Sequence, residues 1–239
     1  MEQLVLWFQQ LGEAVSNSLY KSLIQENRWM LYFEGLGNTI IISLGAILLG
    51  IVLGTIVAVI KYYAPTNKKL WLPEKLCDLY ITLIRGTPVL IQLLILYTVV
   101  FWWMTSGVPV ATIAFGINSG AYVAEIIRAG IQSVDKGQYE ASRSLGLSNT
   151  KTMRLIILPQ AVKNILPALF NEFIVLIKET SVAGTVAVRE LTKVSDGIKS
   201  RIFNSTPLFI AAGIYLIIVI GLTALQKRLE RRLAQGDNR

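Results

Sequence analysis

Histidine is absent from this 239-residue chain, and cysteine occurs once, at Cys77. The first absence excludes imidazole acid–base chemistry and histidine-ligated metals. The second excludes an intrachain disulfide and any multi-cysteine cluster. Charge is also scarce: Asp, Glu, Lys and Arg make up 16% of residues, against about a quarter in soluble domains. What fills the space is apolar. Hydrophobic residues reach 53%, and mean hydropathy is +0.54. The apolar excess lies in long uncharged runs, which points to a bilayer rather than a large water-soluble core.

Three runs stand out. No charge occurs between Glu34 and Lys61, between Arg85 and Glu125, or between Arg201 and Lys227. A membrane-crossing helix needs about 20 mostly apolar residues, and each run is longer than that. The run after Arg85 is long enough for two spans, and Ser106-Gly107-Val108-Pro109 interrupts it as a short turn between them. A further apolar stretch contains Glu172, Lys178 and Glu179. The expectation is an all-α membrane protein with five spans, near 35–61, 78–104, 109–131, 164–187 and 204–227.

An odd number of spans places the termini on opposite sides, and the distribution of Lys and Arg then sets the direction. Segments 61–75, 128–163 and 227–239 fall on one side and carry 15 of the 23 cations; the other side carries 7. The bias predicts the N-terminus outside and the C-terminus in the cytoplasm. The net charge of +8 is thereby assigned to a membrane topology, with no nucleic-acid partner expected. Trp102 and Trp103 fit an outer interfacial belt, and Cys77 a small buried apolar position.

Residues 1–30 lack the basic start and continuous apolar core of a cleaved signal peptide. Leu4, Trp7, Phe8, Leu11, Val15, Leu19 and Leu23 recur at helical spacing. This is an amphipathic helix that either lies on the outer interface or covers the bundle. In the first span, Gly50 and Gly54 form a small-x-x-x-small pair, which Ala46 extends by one turn. Packing within the chain accounts for it more simply than a dimer seam.

The loop between spans three and four is too long for a minimal connection and too regular for disorder. Residues 140–145 read as helix, and Gly146 stands where a left-handed cap belongs. Ser148 can cap a second helix, from Asn149 to about Ile157, limited by Pro159. Arg143, Lys151 and Arg154 are its basic residues. A short rigid element of this kind suits docking in a partner's groove.

The string EASRSLGLSNTKTMRLIILP (140–159) resembles the EAA signature of ABC-importer permeases, at Glu140, Ala141, Gly146, Ile156, Leu158 and Pro159. Ser142 stands in place of the second alanine. RGTPVLIQ (85–92), AYVAEIIRAGIQSV (121–134), KGQYEA (136–141) and LPQAVKNILPALFNEFIVLIKETSV (158–182) are similar to the polar amino-acid subfamily, as is GLGNTIIISLGAILLGIVLGT (35–55). The resemblance spans about residues 33–230. It implies a type I ABC-importer-like fold, with an extracytoplasmic segment (1–32), a permease domain (33–228) holding a coupling loop (132–160), and a basic cytoplasmic tail (229–239). It implies that Glu140, Ala141, Ser142, Arg143, Gly146, Leu147, Arg154, Leu158 and Pro159 couple to an ATPase subunit. The chain lacks the phosphate-cradling G-x-x-x-x-G-K-[ST] loop. ATP and Mg therefore belong to that partner, with no cofactor in this chain. The other implied partners are a second permease chain, an extracytoplasmic amino-acid-binding protein and membrane lipid, in a bacterial cytoplasmic membrane.

Charges within spans are costly and mark pathways, pairs or interfaces. Pro88 frees the carbonyl of Ile84 and kinks its helix, and broken helices often form transporter sites. An amino acid needs donors for its carboxylate and acceptors for its ammonium. Arg85 and Thr87 are candidates for the first role, and Glu125 or Glu172 for the ammonium or a cationic side chain; Gln92 and Asn171 complete the candidate substrate-binding set. The alternative is that Arg85 pairs with a glutamate to hold the bundle. A self-sufficient secondary transporter is the rival function. It needs a coupling-ion site or inverted repeats, and no convincing repeat relates the halves of this sequence.

Overall fold

The computed structural model describes residues 1–235, all-helical with turns. Its helices are α1 (Glu2–Leu19), α2 (Trp29–Tyr63), α3 (Trp71–Gly86), α4 (Val89–Ile95), α5 (Gly107–Gln132), α6 (Lys136–Ser144), α7 (Asn149–Thr152), α8 (Leu158–Glu179), α9 (Leu191–Ile202) and α10 (Thr206–Gln235). Three helices are long and apolar enough to cross a membrane: Trp29–Thr66, Gly107–Gln132 and Thr206–Leu233. The expected second span is a pair of helices that pass the same test together, Lys68–Gly86 and Val89–Val100, bent by 109° at their junction, the shape of a broken span or a re-entrant loop. The remaining expected span, α8, has 22 residues and so a length of about 33 Å at 1.5 Å per residue, but it is not among the helices apolar enough to cross by composition.

The first span and the third pack side by side in the same direction. Positions 45, 50 and 54 of α2 meet 112, 119 and 123 of α5 in register. The glycines permit this approach. A Cβ on Gly54 would lie 2.6 Å from the Val123 side chain and 2.8 Å from the Ala124 nitrogen. Ala46 is fully buried in the same row. The small-residue stripe is therefore an intrachain seam, as its spacing suggests. Helix α8 runs the opposite way, with Gly130 against Ile165 and Ser119 against Glu172. Helix α10 returns, its Gln226 side chain donating to the Pro167 carbonyl at 3.4 Å. The passes thus alternate. The main core joins α2, α4, α5 and α8 through Ile42, Ala46, Leu93, Phe115 and Leu176.

The fourth span departs from its expected limits. Helix α8 starts at Leu158 rather than near 164 and ends at Glu179, where Thr180–Val186 forms a 3-10 turn. Pro159 does not end the preceding helix. Met153–Ile157 is a π turn that joins α7 to α8 without leaving helical backbone angles. In that turn Leu158 N–H reaches back to the Met153 carbonyl. Pro159 falls in the first turn of α8, where a missing N–H is tolerated. The Gln160 amide donates to the Ile156 carbonyl at 2.9 Å and supplies a further bond beside the proline. A helical rod thus runs from residue 149 to residue 179, with Pro167 inside α8 removing one of its backbone hydrogen bonds.

Helix α1 leaves several of its apolar side chains in the open. Leu4, Trp7, Leu11 and Val15 remain exposed. The segment is attached near its end, where Ser18 accepts from Asn204 and Ser22 is buried. Trp102 and Trp103 are exposed on the turn before α5, and Cys77 is buried.

Candidate functional site

The break after α3 follows from Pro88. Its ring lacks an N–H and holds the preceding residue extended; Thr87 has φ −125° and ψ 147°. The opened carbonyls are recaptured by one side chain. The Gln92 amide donates to Ile84 O (2.7 Å), Thr87 O (3.0 Å) and Thr87 Oγ1 (2.8 Å). Thr87 Oγ1 in turn donates to Leu83 O at 2.7 Å. Asn118 Nδ2 donates to Gln92 Oε1 at 3.0 Å, which fixes the break to α5. The next residue, Ser119, donates to the buried Glu172 carboxylate at 2.9 Å.

A charge cluster lies below the break. Arg128 Nη2 reaches Glu125 Oε2 at 2.7 Å, and Arg85 Nη1 reaches the same oxygen at 3.7 Å. The Arg85 guanidinium also sits 5.3 Å from the centre of the Tyr122 ring. Glu125 is thus shared between two cations. On the other side of a cavity of about 360 Å3, Lys61 pairs with Asp78 at 2.6 Å.

Of the six candidate binding residues, Arg85, Thr87, Gln92 and Glu125 gather around the break. Glu172 joins them indirectly, because Asn118 and Ser119 are neighbours. Asn171 is exposed, while Glu172 beside it is buried. The hub of the arrangement is Asn118–Ser119, both almost fully buried. Sequence reasoning missed them, although two polar residues at the centre of an apolar span are the signal.

The loop between α5 and α8 is a capped helix–turn–helix. Asp135 opens α6 by accepting from Gly137 N at 2.7 Å. Gly146 closes it at φ +81°, with Gly146 N donating to Arg143 O and Leu147 N to Ser142 O. Ser142 is buried and bonded to Gln138 O and Tyr139 O, so the small residue in that position packs inward. Arg143 donates to Leu147 O across the turn. Ser148 accepts from Lys151 N at 3.4 Å, and Tyr139 donates to Asn149 Oδ1 at 3.0 Å, tying the two helices together. Glu140, Ala141, Arg154, Leu158 and Pro159 are exposed. Leu145 at the tip is 83% exposed, an apolar contact point absent from the expected set.

Between the fourth and fifth spans, Glu190 caps α9 from a fully buried position. Burial pushes its carboxyl up; hydrogen bonds from Thr192, Lys193 and Tyr215 oppose that shift.

Residues 46–235 match the family described as binding-protein-dependent transport system inner membrane component. The arginine transport system permease protein ArtQ of Bacillus subtilis (strain 168) is 36% identical over 208 residues, covering 85% of this chain and 93% of ArtQ. The L-cystine transport system permease protein TcyB of the same organism is 37% identical over 215 residues, covering 88% of this chain and 90% of TcyB. The crystal structure of an amino acid ABC transporter with histidines contains a chain 40% identical, with a TM-score of 0.80 over 87% of this chain and 96% of that one. The MetNI methionine ABC transporter in an inward-facing conformation shares the fold at 20% identity, with a TM-score of 0.74 over 86% of this chain and 97% of its own. A multi-pass membrane chain with this loop and these relatives belongs to the binding-protein-dependent transport system inner membrane component family.

Proposed function

We propose that this chain is the membrane-spanning subunit of an ATP-driven importer for a polar amino acid. The reading rests above all on the preformed helix–turn–helix, whose Gly146 cap and exposed Leu145 make a rigid projection at one end of the bundle. A separate ATPase subunit binds ATP and Mg and docks on Glu140, Ala141, Arg143, Gly146, Leu147, Arg154, Leu158 and Pro159, while the buried Ser142 supports the docking helix from within. A second permease chain, identical or related, encloses the pathway. A binding protein delivers the amino acid at the opposite face. The membrane is the bacterial cytoplasmic membrane, with the N-terminus outside and the loop and C-terminus inside.

The rod from residue 149 to residue 179 supports a mechanism. A push on α7 travels along α8 to Glu172, and from there through Ser119 and Asn118 to the Gln92 clamp. The break at Thr87–Pro88 is a hinge between two half-helices, held by hydrogen bonds that can exchange. Closure of two ATPase subunits would thus re-aim the broken span, and alternate the side to which the pathway opens.

The test is a mild-detergent purification of tagged chain from native membranes, followed by mass spectrometry. A P-loop ATPase should accompany the unaltered chain and be lost from a Glu140→Arg, Gly146→Pro version. Absence of any ATPase, under conditions that keep other transporter complexes intact, would favour a self-sufficient carrier.

A further inference from the structure

Cations on the side away from the loop are unevenly placed. The charge bias keeps Lys and Arg scarce there, yet Lys178, Arg189, Lys193, Lys199 and Arg201 all fall within one short stretch around α9. Lys193, Gly197 and Arg201 recur at four-residue spacing on α9 and are exposed, while Val194 and Ile198 beside them are buried. Arg189 joins the row from the segment before α9. Its carbonyl accepts from Asn38 Nδ2 at 2.9 Å and its guanidinium pairs with Glu34 at 3.2 Å, so α2 holds it in place. The three cations rim a cavity of about 210 Å3 with an apolar floor of Leu31, Val194 and Ile198. A Cβ on Gly197 would meet nothing within 4 Å, so this glycine keeps the middle of the row open.

Lys193 and Arg201 enter none of the ion pairs found among the described residues. The carboxylates closest in sequence are engaged: Asp196 with Lys199, and the buried Glu190 with the backbone N–H groups of Thr192 and Lys193. The cavity also lies at headgroup depth. Leu31 is in the first turn of α2, where Trp29, Met30 and Phe33 are exposed and the Trp29 and Phe33 rings pair edge to face. Exposed aromatics at the end of a span mark the interfacial belt. Helix α1 meets the end of α9 at the same level, through the bond from Asn204 to Ser18. A helix that lies on a membrane usually carries Lys and Arg on its polar face, but residues 1–20 have neither. The basic component stands on α9 instead.

We propose that this cavity seats the phosphate of an anionic phospholipid in the leaflet away from the coupling loop. The proposal rests on the membrane-permease reading above. Lys193 and Arg201 hold the phosphate oxygens by charge-assisted hydrogen bonds. Arg189, already shared with Glu34, closes the rim. Leu31, Val194 and Ile198 meet the glycerol carbons and the first methylenes. The apolar floor suits a phosphate that carries a hydrocarbon tail better than a free one, whose wholly polar surface would lose water against it. Lipid bound in this way ties α9, the link between the fourth and fifth spans, to the bilayer surface.

The experiment uses the permease purified with its ATPase subunits, in micelles holding equal amounts of phosphatidylglycerol and phosphatidylcholine. Native mass spectrometry counts the phosphatidylglycerol retained per permease chain, and the difference between native and variant complexes isolates this site from lipid held elsewhere. Each cation beside an anionic group contributes roughly fivefold in affinity. The double variant Lys193→Gln, Arg201→Gln should therefore lose one tightly held phosphatidylglycerol per chain, with at least a tenfold drop in its affinity. Gly197→Leu, which fills the cavity without changing charge, should lose the same lipid. Lys199→Gln, which removes a cation of the same helix outside the cavity, should keep it. Excess glycerol 1-phosphate, a head without acyl chains, should displace none. Co-elution with the ATPase subunits shows that each variant is folded. Unchanged retention in the double variant or in Gly197→Leu, an equal loss in Lys199→Gln, or displacement by glycerol 1-phosphate would overturn the proposal. So would weaker binding-protein docking by the double variant in phosphatidylcholine nanodiscs with lipid retention unchanged, since the row would then be a protein-docking face. ATP-driven amino-acid uptake is scored separately. Uptake together with a failed lipid test refutes this site alone; failure to transport any amino acid refutes the permease reading itself.

Discussion

Replacing Gly146 by alanine isolates the role of one backbone conformation. At φ +81° this residue closes α6, and a Cβ built on it meets nothing within 4 Å. Sterics with the neighbours are therefore not at issue. The cost is the left-handed conformation itself, about 1–2 kcal/mol for an ordinary L-residue. If docking requires the intact turn, that strain lowers the population of the competent loop by roughly 5–30-fold, and affinity for the ATPase falls by the same factor. Asparagine tolerates this region better, so Gly146→Asn should fall between alanine and the native residue. Proline, whose ring locks φ on the negative side and so denies the left-handed turn altogether, should abolish binding. The assay is titration of purified ATPase subunit onto permease nanodiscs, with thermal stability as a control. Because the turn is exposed, the three substitutions should change Tm little compared with docking. Equal affinities across the series would refute the reasoning, since the left-handed turn would then be irrelevant to the contact.

Two further substitutions test the membrane part. Gly54→Val places a branched side chain 2.6 Å from Val123 and close to the Ala124 backbone; overpacking of this kind costs about 1–3 kcal/mol, so melting in nanodiscs should drop by several degrees, whereas Gly37→Ala, with open space around it, should not. Gln92→Leu removes the clamp on the part-buried Ile84 carbonyl and the exposed Thr87 carbonyl; losing a hydrogen bond of this kind costs about 0.5–1.5 kcal/mol. That variant should lose transport more than stability, because the break itself persists through Pro88.

Some of this architecture was legible in the residue order, and the reason is locality. The Gly146 turn, the Ser148 cap and the interruption at Pro88 are short-range effects, each decided within a turn or so of helix. The Gly50–Gly54 stripe announced a close helix contact but not its partner; that partner, α5, is set by tertiary packing. The continuation of α7 through Pro159 was not legible. Proline usually limits a helix, and only a π turn coupled to the Gln160 amide carries the chain past it. The candidate residues Thr87 and Gln92 were recognised as polar groups at a break. Their mutual bonding and the closure by Asn118, 26 positions away from Gln92, depend on the fold.

The central claim is that the loop end of this bundle meets an ATPase. Leu145 offers a direct measurement, since it is 83% exposed at the tip and the chain's single cysteine, Cys77, is buried. In a Cys77→Ser background, Leu145→Cys should form a cross-link to a P-loop ATPase in native membranes, with a yield that changes when ATP is added. Phe203→Cys, 96% exposed at the opposite end, should give no such product. A cross-link to the ATPase from position 203 and none from position 145 would contradict the account.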